Sequence, residues 1–209
     1  MQPFPEISEL HSLESIFSYV LDNAIDARKN KWNGSQPVMV IIRDNLKESL
    51  EQTVKQLSDQ DYRIVCRSGY GGLWNLTPYA VILNRKYNWL FNSYSPRKGA
   101  YPGFMFAEDM TEVYVLYMVG AGSKTLRQID KTVSDIRKSF PLPSFSTDSE
   151  SIHFYTDKYH YKNCTVFFKR YNKDQLKESS IVSDLDELIK YHEAYGDYIN
   201  DIVVSNLIG

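Results

Sequence analysis

The sequence predicts an α+β domain: an antiparallel β-sheet core of about five to seven strands, with flanking helices and a helical layer at the N-terminus. Three observations lead to this class. Apolar residues recur at helical spacing in several segments. Between those segments stand short runs of β-branched and aromatic residues, bounded by Gly, Pro, Asn and Asp. A length of 209 residues with 43% apolar content suffices to bury one sizeable core.

The first helical pattern begins after Ser8, which is a candidate N-cap. Its apolar positions are Leu10, Leu13, Phe17, Val20, Leu21, Ala24 and Ile25. A polar turn at Asn33–Ser35 and the apolar run Val38–Ile42 follow. A second helix is indicated by Leu46, Leu50, Val54 and Leu57. We therefore predict that residues 1–60 form a helical lead-in that packs on the main α+β domain, residues 61–209.

From Tyr62 onward, the apolar spacing changes from helical to strand-like. Four strands are predicted in an order that suits an antiparallel meander: Tyr62–Cys66, Tyr79–Leu83, Phe104–Ala107 and Val113–Val119. A third helix runs from Leu126 to Phe140 and is closed by Pro141. One or two further short strands, at His153–Tyr155 and Cys164–Phe168, and a last helix near Ile181–Ile199 complete the predicted order.

The charge distribution predicts a local anion-binding face on an acidic body. The formal net charge is −2, yet residues 61–100 carry six basic side chains against the single acid Asp61. The six are Arg63, Arg67, Arg85, Lys86, Arg97 and Lys98. A cluster of basic residues of this kind is also typical of a solvent-exposed surface that binds no ligand. The 16 tyrosines favour a binding surface, because tyrosine offers both a stacking face and a hydroxyl.

The segment Gly120–Thr125 follows a strand and opens a helix, which invites comparison with a phosphate-binding loop. A P-loop requires Gly, four residues and then Gly-Lys-Ser/Thr, and the spacing here does not match. We interpret the segment as a glycine turn in which Ser123 or Thr125 caps the next helix, with a minor phosphate contact left open.

Metal and disulfide frameworks are not indicated. The histidines lack paired-ligand spacing, and the two cysteines, Cys66 and Cys164, sit singly in apolar runs as expected of reduced thiols. We therefore predict no metal, no cofactor and no catalytic centre. The N-terminus lacks a leader pattern, and no apolar stretch approaches the roughly 18 residues of a membrane span, so a cytoplasmic protein is expected.

Two aromatic elements remain to be explained. Gly69 and Gly71 flank Tyr70, so the backbone can turn tightly and hold the ring at the tip. By itself this spacing favours a plain β-hairpin. The second element places Tyr101 after a glycine turn and Met105 four residues later, which alone would indicate core positions.

The order of these motifs resembles the N-terminal DNA-binding domain of McrB-like modified-cytosine restriction proteins. The motifs are Gly69-Tyr-Gly71, Pro78-Tyr79-Ala-Val-Ile-Leu83, Tyr101-Pro-Gly-Phe-Met105 and Glu108-Asp109 before an apolar strand. The similarity extends through a tail pattern of Tyr155, Tyr159, Tyr161 and Cys164, followed by Asp184–Ile189. A helical lead-in at Ala27–Gly34 is also similar.

The resemblance implies a non-catalytic specificity domain of a type IV, modification-dependent restriction system in antiviral defence. Such a domain recognises double-stranded DNA with 5-methylcytosine or a related base by base flipping. Tyr70, between Gly69 and Gly71, would occupy the vacated space, and Tyr79, Tyr101 and Met105 would line the pocket. The implied partners are a GTP-dependent AAA+ motor and a McrC-like nuclease on other domains or chains, which makes this chain a fragment or a stand-alone relative.

Phosphate contacts are expected from the basic residues that surround the pocket motifs in sequence: Arg67, Arg85, Lys86, Arg97 and Lys98. The chain departs from the family pattern in carrying Tyr79 where Trp occurs and in a longer loop at residues 84–99, so a larger group such as hydroxymethyl could be accepted. Two alternatives stay open. One is a protein-interaction or regulatory module without base flipping, favoured by the net charge, and the other is a small-molecule or nucleotide-binding enzyme, favoured by Gly120–Thr125 alone.

Overall fold

A computed structural model of the chain describes residues 10–29, 36–70, 73–90, 93–122, 124–154 and 160–208. Its centre is a five-stranded antiparallel sheet with the order β1-β2-β5-β6-β7. The strands are β1 Tyr62–Tyr70, β2 Leu73–Asn84, β5 Ala100–Phe106, β6 Glu112–Val119 and β7 Thr165–Asn172. Two very short strands, β3 Trp89–Leu90 and β4 Ser93–Tyr94, pair separately. The predicted α+β class with an antiparallel sheet is confirmed.

Helices precede, interrupt and follow the sheet. Before it stand α1 Leu13–Lys29, α2 Pro37–Val40 and α3 Leu46–Leu57, the last two joined by a π-helical turn, Ile41–Asn45. The others are α4 Arg85–Asn88, α5 Leu126–Ser139, α6 Tyr161–Cys164 and α7 Glu178–Ile208, with short 3-10 turns at Ser149–Ser151 and Lys173–Gln175. Within the described part of the chain, no helix combines the length and the apolar character needed to cross a bilayer.

The sheet has two faces because successive side chains of a strand point in opposite directions. The helix face carries Phe104, Phe106 and Tyr117. The Phe17 ring of α1 lies 5.1 Å from that of Phe104 and 5.6 Å from that of Phe106, and Tyr117 packs edge-on against Tyr191 of α7. These aromatic contacts hold α1 and α7 against this side of the sheet.

The opposite side, here called the site face, carries Arg67, Tyr79, Tyr101, Met105 and Tyr114. The register places Tyr79 between Arg67 and Met105, and Met105 beside Tyr114. Phe154 packs on Tyr114 of this face, and Tyr161 of the short helix α6 packs on Tyr79.

The N-terminal helices share one hydrophobic core with the strands. Buried side chains of α1 and α3 belong to the same cluster as those of the sheet, among them Leu13, Phe17, Leu46 and Leu50. The run Val38–Ile42 is helical, so α2, the π turn and α3 form one continuous rod. Ser8, Asn33 and Gly34 lie outside the described residues, and the division at residue 60 remains a prediction.

Two details of the predicted order are wrong. His153 and Phe154 form no strand: the His153 carbonyl accepts from the N–H of Glu108 and its own N–H donates to the Tyr114 hydroxyl, and Tyr155 lies outside the described residues. Phe154 packs instead on Tyr114, with ring centroids 4.9 Å apart. Cys164 ends α6 instead of opening the strand, which begins at Thr165.

Candidate functional site

The strand register brings together residues that stand far apart in the sequence. Tyr79 of β2 is directly opposite Arg67 of β1 and directly opposite Met105 of β5. Directly opposed residues project from the same face of a sheet and can touch. Tyr101 shares that face, four residues before Met105 on the same strand and about 13 Å away along it. The three predicted pocket residues therefore share one side of adjacent strands.

Burial divides these residues into a floor and a rim. Met105 is 1% exposed and Tyr101 is 5% exposed, whereas Tyr79 is half-buried and Arg67 is exposed. The Tyr101 hydroxyl donates a hydrogen bond to the carbonyl oxygen of Pro96, at 2.8 Å. Burial raises the pKa of Tyr101 well above its usual value, so this phenol stays neutral.

Tyr161 is a fourth aromatic residue of this site, and the sequence argument did not assign it there. It opens α6, and its ring centroid lies 6.3 Å from that of Tyr79 with the planes at 60°. Besides burial, the ionisable groups Cys164, Tyr79 and Tyr161 also raise the pKa of Tyr101. The tyrosine-rich tail pattern of the sequence includes Tyr161, but the spacing of those tyrosines does not indicate which strand they contact.

The loop before β5 covers one end of the site face. Arg63, which points from β1 to that face, places its guanidinium carbon 5.6 Å from the centroid of the Tyr94 ring. Asn88 is fully buried and ties the loop together: its amide donates to the Lys98 carbonyl and accepts from the backbone N–H of Asn84. The long loop at residues 84–99 thus has a defined anchor next to the site.

The β1–β2 hairpin bounds the site at its other end. Pairing continues to Tyr70 opposite Leu73, and the register shifts between Arg67 and Gly69. Such an irregularity bends the strand and increases its twist. Gly71 lies outside the described residues, and the role predicted for Gly69, Tyr70 and Gly71 as a base-flipping loop remains a prediction.

The five basic residues that were predicted to contact phosphates fall into two groups. Arg67 stands beside Tyr79, whereas Arg85 and Lys86 follow the far end of β2, about 20 Å from Tyr79 along the strand. Arg97 and Lys98 precede β5 and lie at that same far end, because β5 runs antiparallel to β2. Lys86 forms an ion pair with Asp197 of α7, at 2.5 Å.

Gly120–Thr125 has a structural explanation. The backbone N–H of Gly120 donates to the Gly99 carbonyl at 2.7 Å, and a Cβ at Gly120 would lie 2.5 Å from the carbonyl carbon of Arg97. Thr125 caps α5 in a reciprocal capping box with Gln128. The Lys124 ammonium donates to the Gly120 carbonyl, and burial lowers the pKa of this lysine. The segment therefore acts as a turn and a helix cap, and Ser123 lies outside the described residues.

The other titratable groups show no arrangement for metal binding. No cluster of three or more His, Cys, Asp or Glu side chains suited to a metal occurs among the residues that the structure describes. Both cysteines are free thiols, and burial raises the pKa of Cys66 and of Cys164 to about 12, so neither is a thiolate at neutral pH. His192 is buried, which lowers its pKa to about 4.

Two polar grooves lie near β7 and outside the candidate site. One, of about 390 Å³, is lined by residues of α5 and α6, and the other, of about 490 Å³, by serines and residues of β7. In the first groove the Arg137 guanidinium donates to the carbonyls of Thr165 and Val166, which joins α5 to β7. This guanidinium has a structural role.

Comparison with known proteins assigns the family. A family model described as MrcB-like, N-terminal domain matches residues 19–197. No curated protein gives a significant match. The matched range contains the whole five-stranded sheet and the residues of the site face. Domains of this family are non-catalytic, and the family is associated with DNA and with restriction systems. Because the match covers most of its length, the chain belongs to the family of MrcB-like N-terminal domains.

Proposed function

We propose that this domain recognises double-stranded DNA carrying 5-methylcytosine or a related modified cytosine, and that it does so by flipping the base into an aromatic pocket. The observation that carries the proposal is the placement of Tyr79, Tyr101 and Met105 on one face of β2 and β5, with Arg67 directly opposite Tyr79. In a chain of this family, three motif residues gathered in this way suit a base-binding pocket.

The chemistry of these side chains suits a flipped base. Extrusion costs a few kcal/mol of unstacking, and stacking on a tyrosine ring can offset about 1–3 kcal/mol of that. Burying one methyl group against the apolar Met105 side chain would add about 1 kcal/mol. Since Met105 and Tyr101 are covered, a base can reach them only if the half-buried Tyr79 ring or its neighbours move.

The rest of the proposed system lies outside this chain. The domain would supply specificity, while a GTP-dependent AAA+ motor and a McrC-like nuclease would translocate and cleave the DNA. We place this activity in the cytoplasm, as antiviral defence against incoming modified DNA. Arg67 is the basic residue whose position best suits a phosphate near the pocket, because it neighbours Tyr79.

Binding to matched duplexes tests the proposal. Three duplexes that differ only at one cytosine (unmodified, 5-methyl and 5-hydroxymethyl) are titrated with the protein at several salt concentrations. We expect tighter binding to at least one modified duplex and an affinity that falls as salt rises. Equal affinity for all three would refute recognition of modified cytosine, and a fluorescent base analogue that stays stacked on binding would refute flipping.

A second function, that of a protein-interaction module, is favoured by one surface. The ring of Phe140, which follows α5, packs against the rings of Tyr195 and Tyr198 on α7, and Tyr195 is 40% and Tyr198 62% exposed. Exposed aromatic groups of this kind are frequent at protein interfaces. Weak binding to all three duplexes, combined with a specific protein partner that is lost in a Tyr195→Ala/Tyr198→Ala variant, would favour this function.

A further inference from the structure

We propose that Tyr161 is a positioning residue that sets the orientation of the Tyr79 ring and thereby the preference for modified cytosine. The inference rests on the proposed function, which it deepens by adding a residue outside the assigned pocket. It starts from the contact between the two rings, whose centroids are 6.3 Å apart with the planes at 60°. That geometry is the edge-to-face arrangement that aromatic pairs favour.

Tyr161 is suited to hold another ring because its own backbone is fixed. The fully buried Thr165 donates a hydrogen bond from its hydroxyl to the Tyr161 carbonyl, at 2.9 Å. The carbonyl of Thr165 in turn accepts from the Arg137 guanidinium of α5, at 3.0 Å. The N–H of Cys164 donates to the His160 carbonyl and closes the single turn of α6. Tyr161 is therefore attached to both α5 and β7.

The ring of Tyr79 needs such a contact. The strand pairing with Arg67 and Met105 fixes the Tyr79 backbone but leaves its side-chain torsions to whatever packs above the sheet. Tyr161 is an aromatic residue in that place, because its ring packs against that of Tyr79. Loss of the Tyr161 ring would remove one packing contact of the Tyr79 ring and widen the range of orientations open to it, while Met105 and Tyr101 stay buried.

Loss of the Tyr161 ring should affect recognition of the modified base but not the contacts with DNA phosphates. A displaced Tyr79 ring stacks less well on an extruded base, but it does not alter contacts between DNA phosphates and Arg67. Removal of the Tyr161 ring should thus lower the preference for modified over unmodified duplex by about 3- to 10-fold, the range set by one aromatic pair. Binding to unmodified duplex should stay nearly unchanged.

The experiment compares Tyr161→Leu and Tyr161→Met with Tyr161→Phe, which keeps the ring. Tyr198→Leu is the matched control, since that tyrosine is 62% exposed on α7. Two quantities are measured for each folded variant: the ratio of dissociation constants for modified and unmodified duplex, and the NMR shifts of the Tyr79 ring in the free protein, assigned with Tyr79→Phe. We expect Tyr161→Leu and Tyr161→Met to change both, and Tyr161→Phe and Tyr198→Leu to change neither.

The outcomes separate this inference from the proposed function. If the wild-type protein prefers modified DNA and Tyr161→Met keeps that preference, Tyr161 does not position the pocket and the proposed function stands. If the Tyr79 signals do not move in either ring-deleting variant, the coupling of the two rings is wrong. If the wild-type protein shows no preference, the proposed function fails and the inference with it, whatever the NMR shifts show.

Discussion

Glu14 and Glu178 cap each other's helices. The backbone N–H of Glu14 donates to the Glu178 carboxylate at 2.7 Å, and the N–H of Glu178 donates to the Glu14 carboxylate at 2.8 Å. Glu14 lies in the first turn of α1 and Glu178 opens α7, so each carboxylate satisfies a free N–H and faces the positive end of the partner helix. This reciprocal bond fastens the N-terminal helical lead-in to the last helix.

Removal of either carboxylate should destabilise the protein. We expect Glu178→Ala to lower the free energy of unfolding by about 0.5–2 kcal/mol, as loss of an N-cap does, and Glu14→Ala to do the same. The double variant should cost less than the sum of the two, because the bonds form one unit. Urea unfolding measures all three. Glu48→Ala is the control, since Glu48 makes a 3.4 Å surface contact with Gln52; an equal loss there would argue against the mutual cap.

The two groups of basic residues should differ in DNA binding. Arg67→Ala should weaken binding to modified and unmodified duplex alike and reduce the salt slope by about one unit. Lys86→Ala should have the smaller effect, because Asp197 already neutralises that ammonium at the far end of β2. Parallel variants of Arg85, Arg97 and Lys98 show how far the DNA extends. An unchanged slope in all five variants would place the DNA on another surface.

Substitution of Met105 should lower both the preference for modified over unmodified DNA and the stability of the protein. Because Met105 is 1% exposed, Met105→Ala should lower the free energy of unfolding by about 2–5 kcal/mol, whereas Met105→Leu should cost less than about 1.5 kcal/mol. Provided the variants remain folded, Met105→Ala should reduce the preference for 5-methylcytosine and leave non-specific binding nearly intact. Titration of the matched duplexes measures the ratio. Equal losses on both duplexes would count against the pocket assignment.

Tyr70 should matter only when a base has left the stack. If its ring replaces the extruded base, Tyr70→Ala should cost about 1–3 kcal/mol of affinity for modified duplex, while the melting temperature changes by only a few degrees. A fluorescent base analogue at the target position should brighten on binding of wild-type protein and brighten less with the variant. A large loss of stability in Tyr70→Ala would identify this residue as a packed part of an ordinary hairpin.

His192 should make stability fall with acid. Its buried ring lies against Tyr62, Tyr87 and Tyr117, its Nδ1 is 2.7 Å from the Tyr117 hydroxyl, and burial lowers its pKa to about 4. The unfolded chain takes up a proton near pH 6.5, whereas the folded chain does so only near pH 4. The contribution of His192 to the free energy of unfolding is therefore fully present above about pH 6.5. It declines by about 3 kcal/mol as the pH falls toward 4.

Urea unfolding between pH 7 and pH 4 tests this against His192→Gln. The carboxylates titrate in both proteins, so the difference between the two curves isolates the imidazole. We expect a shallower curve for the variant, equivalent to nearly one proton fewer taken up on unfolding. Parallel curves would show that His192 is protonated in the folded protein over this range.

Much of the fold followed from local pattern. The helical spacing around Phe17 predicted α1, the β-branched run around Val115 predicted β6, and Thr125 was correctly interpreted as a helix cap. These features depend on residues within a few positions of one another, so periodicity and capping chemistry suffice. The strand suggested at His153–Tyr155 does not form at His153 and Phe154, although the local pattern was suitable, because these residues contact Glu108 and Tyr114 instead of pairing with a strand.

The candidate site shows the same division. The sequence by itself identified Tyr79, Tyr101 and Met105 as motif residues and Arg67 as a basic neighbour of the glycine hairpin. Only the tertiary structure decided that Tyr79 lies between Arg67 and Met105, and that Tyr161, 82 positions after Tyr79 in the numbering, contacts its ring. It also placed Arg85, Lys86, Arg97 and Lys98 far from Arg67, at the end of the sheet where β5 begins and Tyr101 lies. The physical reason is that strand register and antiparallel direction join residues by hydrogen bonds between distant segments, which no local spacing encodes.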